Sequence, residues 1–174
     1  MALTARGRRF AIPIALAAGL ALAACGEDAP NENPFTSEGF ANAVDAVEED
    51  AGDDAELVQV QIKEGRALFK MREDGSTSVL VFPGDVFEPI GPEAVGEEPE
   101  GEEFPLSEVD PDAIDRILEG VGEESEVEGI EVPVMTLQRS PDADLGWVID
   151  ARGGGRRLVF EAEADGSGVA LREP

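Results

Sequence analysis

Residues 145–166 read LGWVIDARGGGRRLVFEAEADG, and this stretch decides the fold class. Two runs enriched in β-branched and aromatic residues flank the glycines at 153, 154 and 155. Glycine turns a chain back on itself at little steric cost, so the pattern predicts two antiparallel strands around a glycine tip. Asp165-Gly166 is a turn dipeptide that ends the second strand.

The pattern extends upstream. GIEVPVMTLQRS, residues 129–140, alternates Ile130, Val132 and Val134 on one face, with Pro133 marking it as an edge strand. Before it, Asp110-Pro111 predicts a helix start, with proline in the first turn. Ile114, Ile117, Leu118 and Val121 then form one apolar helical stripe. A last short strand is expected in GVALRE, residues 168–173.

The same order occurs earlier in the chain. Thr36-Ser37 predicts a helix start with Ser37 as N-cap, and Phe40, Val44 and Val47 make its apolar stripe. Three strand-like runs follow. Val58, Val60 and Ile62 alternate with Gln59, Gln61 and Lys63, and Ala67, Phe69 and Met71 alternate with Arg66, Lys70 and Arg72. STSVLVF, residues 76–82, is the third, and Glu64-Gly65 and Asp74-Gly75 are the turns of an antiparallel meander. Leu80-Val81-Phe82 matches Leu158-Val159-Phe160 at a spacing of 78 residues. The expected class is therefore α+β: two αβββ-type units, residues 36–87 and 106–174, with helices packed on antiparallel meander sheets. Between them, residues 88–105 form an acidic Pro/Gly linker, with seven Glu, three Pro and three Gly over residues 88–103.

Charge and residue usage restrict function. All 39 Asp and Glu lie after Cys25, and three of the 13 basic residues lie before it, so the balance beyond that point is 10 − 39, or −29. Such a field repels phosphate backbones and excludes a nucleic-acid partner. With no histidine and a single cysteine, His-based triads, imidazole or thiolate zinc sites and intrachain disulfides are ruled out. Neither a catalytic constellation, nor a metal site, nor a cofactor is expected. Glu161, Glu163 and Asp165 are spaced like calcium ligands, but the twelfth loop position is Arg172, where a bidentate glutamate is required.

The first 25 residues carry an address. Arg6, Arg8 and Arg9 precede FAIPIALAAGLALAA, an uncharged run over residues 10–24 that is short for a membrane span and suited to a secretory leader. It ends in Leu22-Ala23-Ala24-Cys25. This resembles the lipobox of bacterial lipoprotein precursors. The resemblance implies a cleaved signal peptide over 1–24, cut between Ala24 and Cys25, and diacylglyceryl modification of Cys25. Residues 25–35 then read as a flexible tether from the membrane. The helix-then-meander order, doubled, is similar to PepSY-type modules and to tandem-repeat β-lactamase inhibitor proteins, which implies a binding or inhibitory role.

The expected protein is a lipid-anchored binding or interaction module on the extracytoplasmic face of a bacterial cell membrane. Its partners are membrane lipid, through acyl groups on Cys25, and an envelope protein or small ligand. Trp147, Arg152, Arg156 and Arg157 are the candidate contacts. Trp147, beside Val148 and Ile149, reads most simply as a core residue of its strand and otherwise as an exposed binding aromatic. The arginines flank a glycine turn whose amides suit an anion. Two alternatives are a carboxylate-dependent envelope hydrolase and a low-affinity cation-binding or spacer lipoprotein.

Overall fold

The computed structural model describes residues 32–73, 76–83, 87–88, 101–140 and 144–172. The leader, Cys25, the tether up to residue 31, the Asp74-Gly75 turn and linker residues 89–100 lie outside the described residues.

Helix α1 spans Ser37–Ala51, and its cap is Thr36, one residue earlier than expected. The Thr36 Oγ1 accepts from the Gly39 amide at 3.1 Å, while Ser37 is already helical. Ser37 caps across space instead: its Oγ accepts from the Asp115 amide, and its own amide donates to Asp115 Oδ1 at 3.2 Å. The second helix, α2 (Ala113–Glu124), by contrast starts later than Asp110-Pro111 predicts. Asp110 accepts from the Asp112 amide at 2.9 Å and pairs with Arg116, so it braces a turn ahead of the helix. Phe40 and Val47 on α1, and Ile114, Ile117 and Val121 on α2, are buried as their spacing requires.

The strands are β1 (Glu56–Lys63), β2 (Arg66–Glu73), β3 (Ser76–Phe82), β4 (Phe87–Glu88), β5 (Phe104–Pro105), β6 (Glu131–Arg139), β7 (Leu145–Gly153), β8 (Arg156–Glu163) and β9 (Ala170–Leu171). They form one α+β sheet in the order β4-β3-β2-β1-β6-β7-β8-β9, with every described pairing antiparallel. The Glu64-Gly65 and Gly154-Gly155 turns both hold positive φ at their two residues, matching the right-handed twist of the hairpins they close.

Strand β6 is central, contrary to the edge position read from Pro133. It pairs with β1 through Val134–Leu137 and with β7 along most of its length. Pro133 is tolerated because β1 ends opposite Val134, and because the β6–β7 register shifts between Glu131 and Val134. The missing amide therefore falls where no ladder bond is due.

The far ends of β1 and β6 diverge, and residues 101–105, read as linker, are built between them. Glu102 bridges to Arg139, its amide donating to the Arg139 carbonyl at 2.9 Å. Phe104 pairs with Leu57 and is fully buried. A Cβ on Gly101 would stand 2.9 Å from the Val58 carbonyl and 3.2 Å from that of Arg139, so this passage needs glycine.

Both helices contribute to one hydrophobic core that runs under the strands of both halves. At its middle Phe40 stacks on Phe69 of β2, with ring centroids 6.1 Å apart, and meets the edge of Trp147 of β7 at 6.0 Å. Among the described residues no helix is long and apolar enough to cross a membrane.

Candidate binding surface

Alternation along the strands sends one set of side chains into the helix-covered core and the other to the opposite face. No described helix covers that outer face. Register fixes its rows. Lys70, Gln59, Gln138 and Gly146 form one row; Leu68, Gln61, Thr136 and Val148 the next; Arg66, Lys63, Val134 and Asp150 a third. The seam between β1 and β6 is neutral and tied by side chains: Gln59 Nε2 donates to Gln138 Oε1 at 3.2 Å, and Gln61 Nε2 to Thr136 Oγ1 at 3.5 Å.

Charge on this face is unevenly distributed. Lys63, Arg66, Lys70 and Arg72 make a cationic column along β1 and β2 around half-buried Leu68. The ion pairs among the described residues are Arg116–Asp110, Arg139–Glu108, Arg157–Asp150 and Arg172–Glu161. All four involve the second half, and none involves the cations of β1 and β2. Partial burial, then the neighbouring ammonium of Lys63, hold the pKa of Lys70 below the ordinary lysine value. A chain with 39 carboxylates thus sets four cations together with no described counter-charge.

Across the seam the face is acidic and hollow. A depression of about 380 Å³ lies over Gly146, rimmed by Asp144, Glu161 and Glu163. Gly146 places no side chain in it, and a Cβ there would come within 2.9 Å of the Ala162 carbonyl.

The residues expected to touch a ligand are split by the fold. Trp147 faces the core at 1% exposure, its Nε1 donating to the Ala164 carbonyl at 3.0 Å. Its ring is packed and its polar atom satisfied, so it offers nothing to a partner. Arg152, Arg156 and Arg157 are exposed at the β7–β8 tip, beside an open hollow of about 420 Å³ that Glu131 also lines. Arg157 Nε donates to Asp150 at 2.7 Å, which leaves Arg152 and Arg156 without an ion pair among the described residues.

Every Asp and Glu whose side chain is described is exposed or half-buried, and the buried polar side chains among the described residues are Ser78 and Ser125. Asp165 sits in the turn after β8, where its Oδ1 accepts from the Ser167 amide at 2.9 Å; hydrogen bonds from Ser167 hold its carboxyl below the usual carboxylate range. Among the described residues no group of three or more acidic or thiol side chains is arranged to hold a metal ion.

The cationic column was readable only as the polar phase of two strands. Its signal is local composition: residues 63–72 hold four cations and a single acid, Glu64, inside an otherwise acidic chain. Comparison with protein-family models, with curated proteins and with solved structures gives no match to this chain.

Proposed function

We propose that this chain is a lipid-anchored envelope protein that binds a partner through the face of its sheet that no described helix covers, from β2 across to β7. The leader is removed before Cys25, and the acylated cysteine holds the folded part near the membrane through the tether. Two acyl chains on one residue hold a protein firmly, where a single one does not. The observation that carries the binding role is the cationic column Lys63, Arg66, Lys70 and Arg72 without described counter-charges, set beside half-buried Leu68 and Val81. A solvated face with no partner would gain from interspersed signs, and 39 acids were on hand to supply them.

Residues 36–87 and 106–174 are two αβββ units that meet at β1 and β6. The strands carrying Leu80-Val81-Phe82 and Leu158-Val159-Phe160 occupy matching places, third from the seam, each with its middle valine on the outer face. The hydrolase alternative needs a carboxylic acid of raised pKa, which burial supplies, and the described carboxylates lie at the surface.

Two measurements test the reading. Cys25→Ala should abolish labelling by a palmitate analogue and release the protein from the membrane; persistent labelling refutes the anchor. A photo-crosslinking residue at Leu68 should give a defined adduct in intact cells, whereas one at exposed Glu123 on α2 should not. Equal crosslinking at both sites refutes the outer face as the contact surface.

A further inference from the structure

Over β2, β1, β6 and β7 the outer face is complementary to itself, whereas on the flanking strands the rotation described next sets Val81 of β3 over Glu161 of β8 and adds no matched contact. Turned over about an axis parallel to the strands and above the β1–β6 seam, a second sheet lays β7 over β2 and keeps the rows aligned. Arg72 then faces Asp144, Lys70 enters the acidic hollow over Gly146, Leu68 meets Val148, and Arg66 faces Asp150. Rotation about the perpendicular in-plane axis would instead set Arg72 against Arg66 on the two β2 strands. Charge thus selects one of the two face-to-face arrangements.

We infer that the partner seated on this face is a second copy of the same chain, in an isologous dimer with β2 of each copy over β7 of the other. A two-fold interface uses one patch twice, so each complementary contact is made two times. The proposal rests on the outer face being the contact surface and is independent of the lipid anchor. The four strands β2, β1, β6 and β7, about 4.8 Å apart and some seven residues long, make a face of roughly 20 by 20 Å, or about 400 Å². Val79 on flanking β3 is already buried at 1% exposure and is not counted in it. Specific interfaces bury about 800 Å² on each partner, with weak ones below that, so the expected dimer is reversible. The net charge of −29 beyond Cys25 adds repulsion between copies. Salt screens that repulsion first, since a Debye length of about 30 Å at 0.01 M shrinks to about 8 Å at 0.15 M. Dimerisation should therefore strengthen over this range.

The test uses sedimentation equilibrium on the chain from residue 26 onward, which contains every described element. Arg72 and Asp144 are both exposed, and neither has an ion pair among the described residues, so the fold should tolerate their reversal. Arg72→Glu and Asp144→Arg should each weaken dimerisation about tenfold, and the double exchange should restore most of it. Sedimentation as a monomer at about 100 μM, a weak-dimer concentration, overturns the proposal. So does a double exchange no better than the singles. A monomer that still crosslinks from Leu68 to another envelope protein, or to the chain's own residues 93–103, also overturns it. In the envelope-protein case the binding reading still stands.

Discussion

Phe40→Ala removes the one ring of α1 that touches aromatic side chains from both halves of the sheet, Phe69 on β2 and Trp147 on β7. The residue is fully buried. Large-to-small changes of this kind cost about 3–5 kcal/mol, from lost transfer energy and the cavity left behind. The two ring contacts, each worth about 0.5–1.5 kcal/mol beyond area burial, place this site in the upper part of that range. Against a total stability of about 5–15 kcal/mol the loss is large, and it corresponds to a fall in Tm of roughly 10–20 °C. The assay is urea unfolding followed by two signals. Trp147, the only tryptophan, reports the β7 side of the core, and far-UV circular dichroism reports the whole sheet. Both transitions should coincide in the parent chain and move together in the variant. A loss below about 1 kcal/mol, or a dichroism transition that shifts while the tryptophan transition stays, refutes a single core bridged by Phe40.

Gly166→Ala should destabilise by about 2 kcal/mol or more in the same urea assay, because φ is +82° and the new Cβ would stand 2.5 Å from the Ala113 carbonyl at the start of α2. Ser78→Ala should be neutral or mildly stabilising, since the Ser78 hydroxyl is buried without a hydrogen-bond partner among the described residues; a loss above about 1 kcal/mol refutes that. Lys70→Met should raise the urea midpoint of the dilute monomer at pH 7, by less than about 1 kcal/mol once solvent screening is allowed for. Burial and Lys63 hold the Lys70 pKa below the ordinary 10.5. Between the lowered value and 10.5 the unfolded chain binds more protons, so this residue makes parent stability rise with pH there. The Met variant should lose that slope, and an unchanged slope refutes the assignment.

Secondary structure was legible wherever one face is buried. Val60 and Ile62, or Ile114 and Ile117, announce their elements because burial imposes periods of two and 3.6. Chain order beyond the hairpins was not legible. Pro133 pointed to an edge, and the sequence carries no mark that β1 stops opposite Val134 and so frees that position. The passage through 101–105 was hidden for a similar reason. Acidic, glycine-rich composition describes its solvent side, and only Phe104 signals the gap it fills. Trp147 was legible as a strand residue, but its facing depended on Phe40, some hundred residues away in sequence. Lys63, Arg66, Lys70 and Arg72 read as ordinary outward positions until the sheet order set them in one column with no ion pair among the described residues.

The β1–β6 seam has a consequence for how the protein is made. Its paired residues are 71 to 77 positions apart (134 − 63 and 137 − 60), so the seam closes only after most of the chain has emerged. Until then the first meander has a bare edge at β1, with Val60 and Ile62 alongside unpaired backbone, and such edges recruit other chains. Lys63 lies on that edge, and Arg66, Lys70 and Arg72 lie on the neighbouring strand. While the second half is still missing, like charges repel a second unfinished copy at the place where it would otherwise add a strand. The same four cations that face outward in the finished sheet would guard its unfinished half.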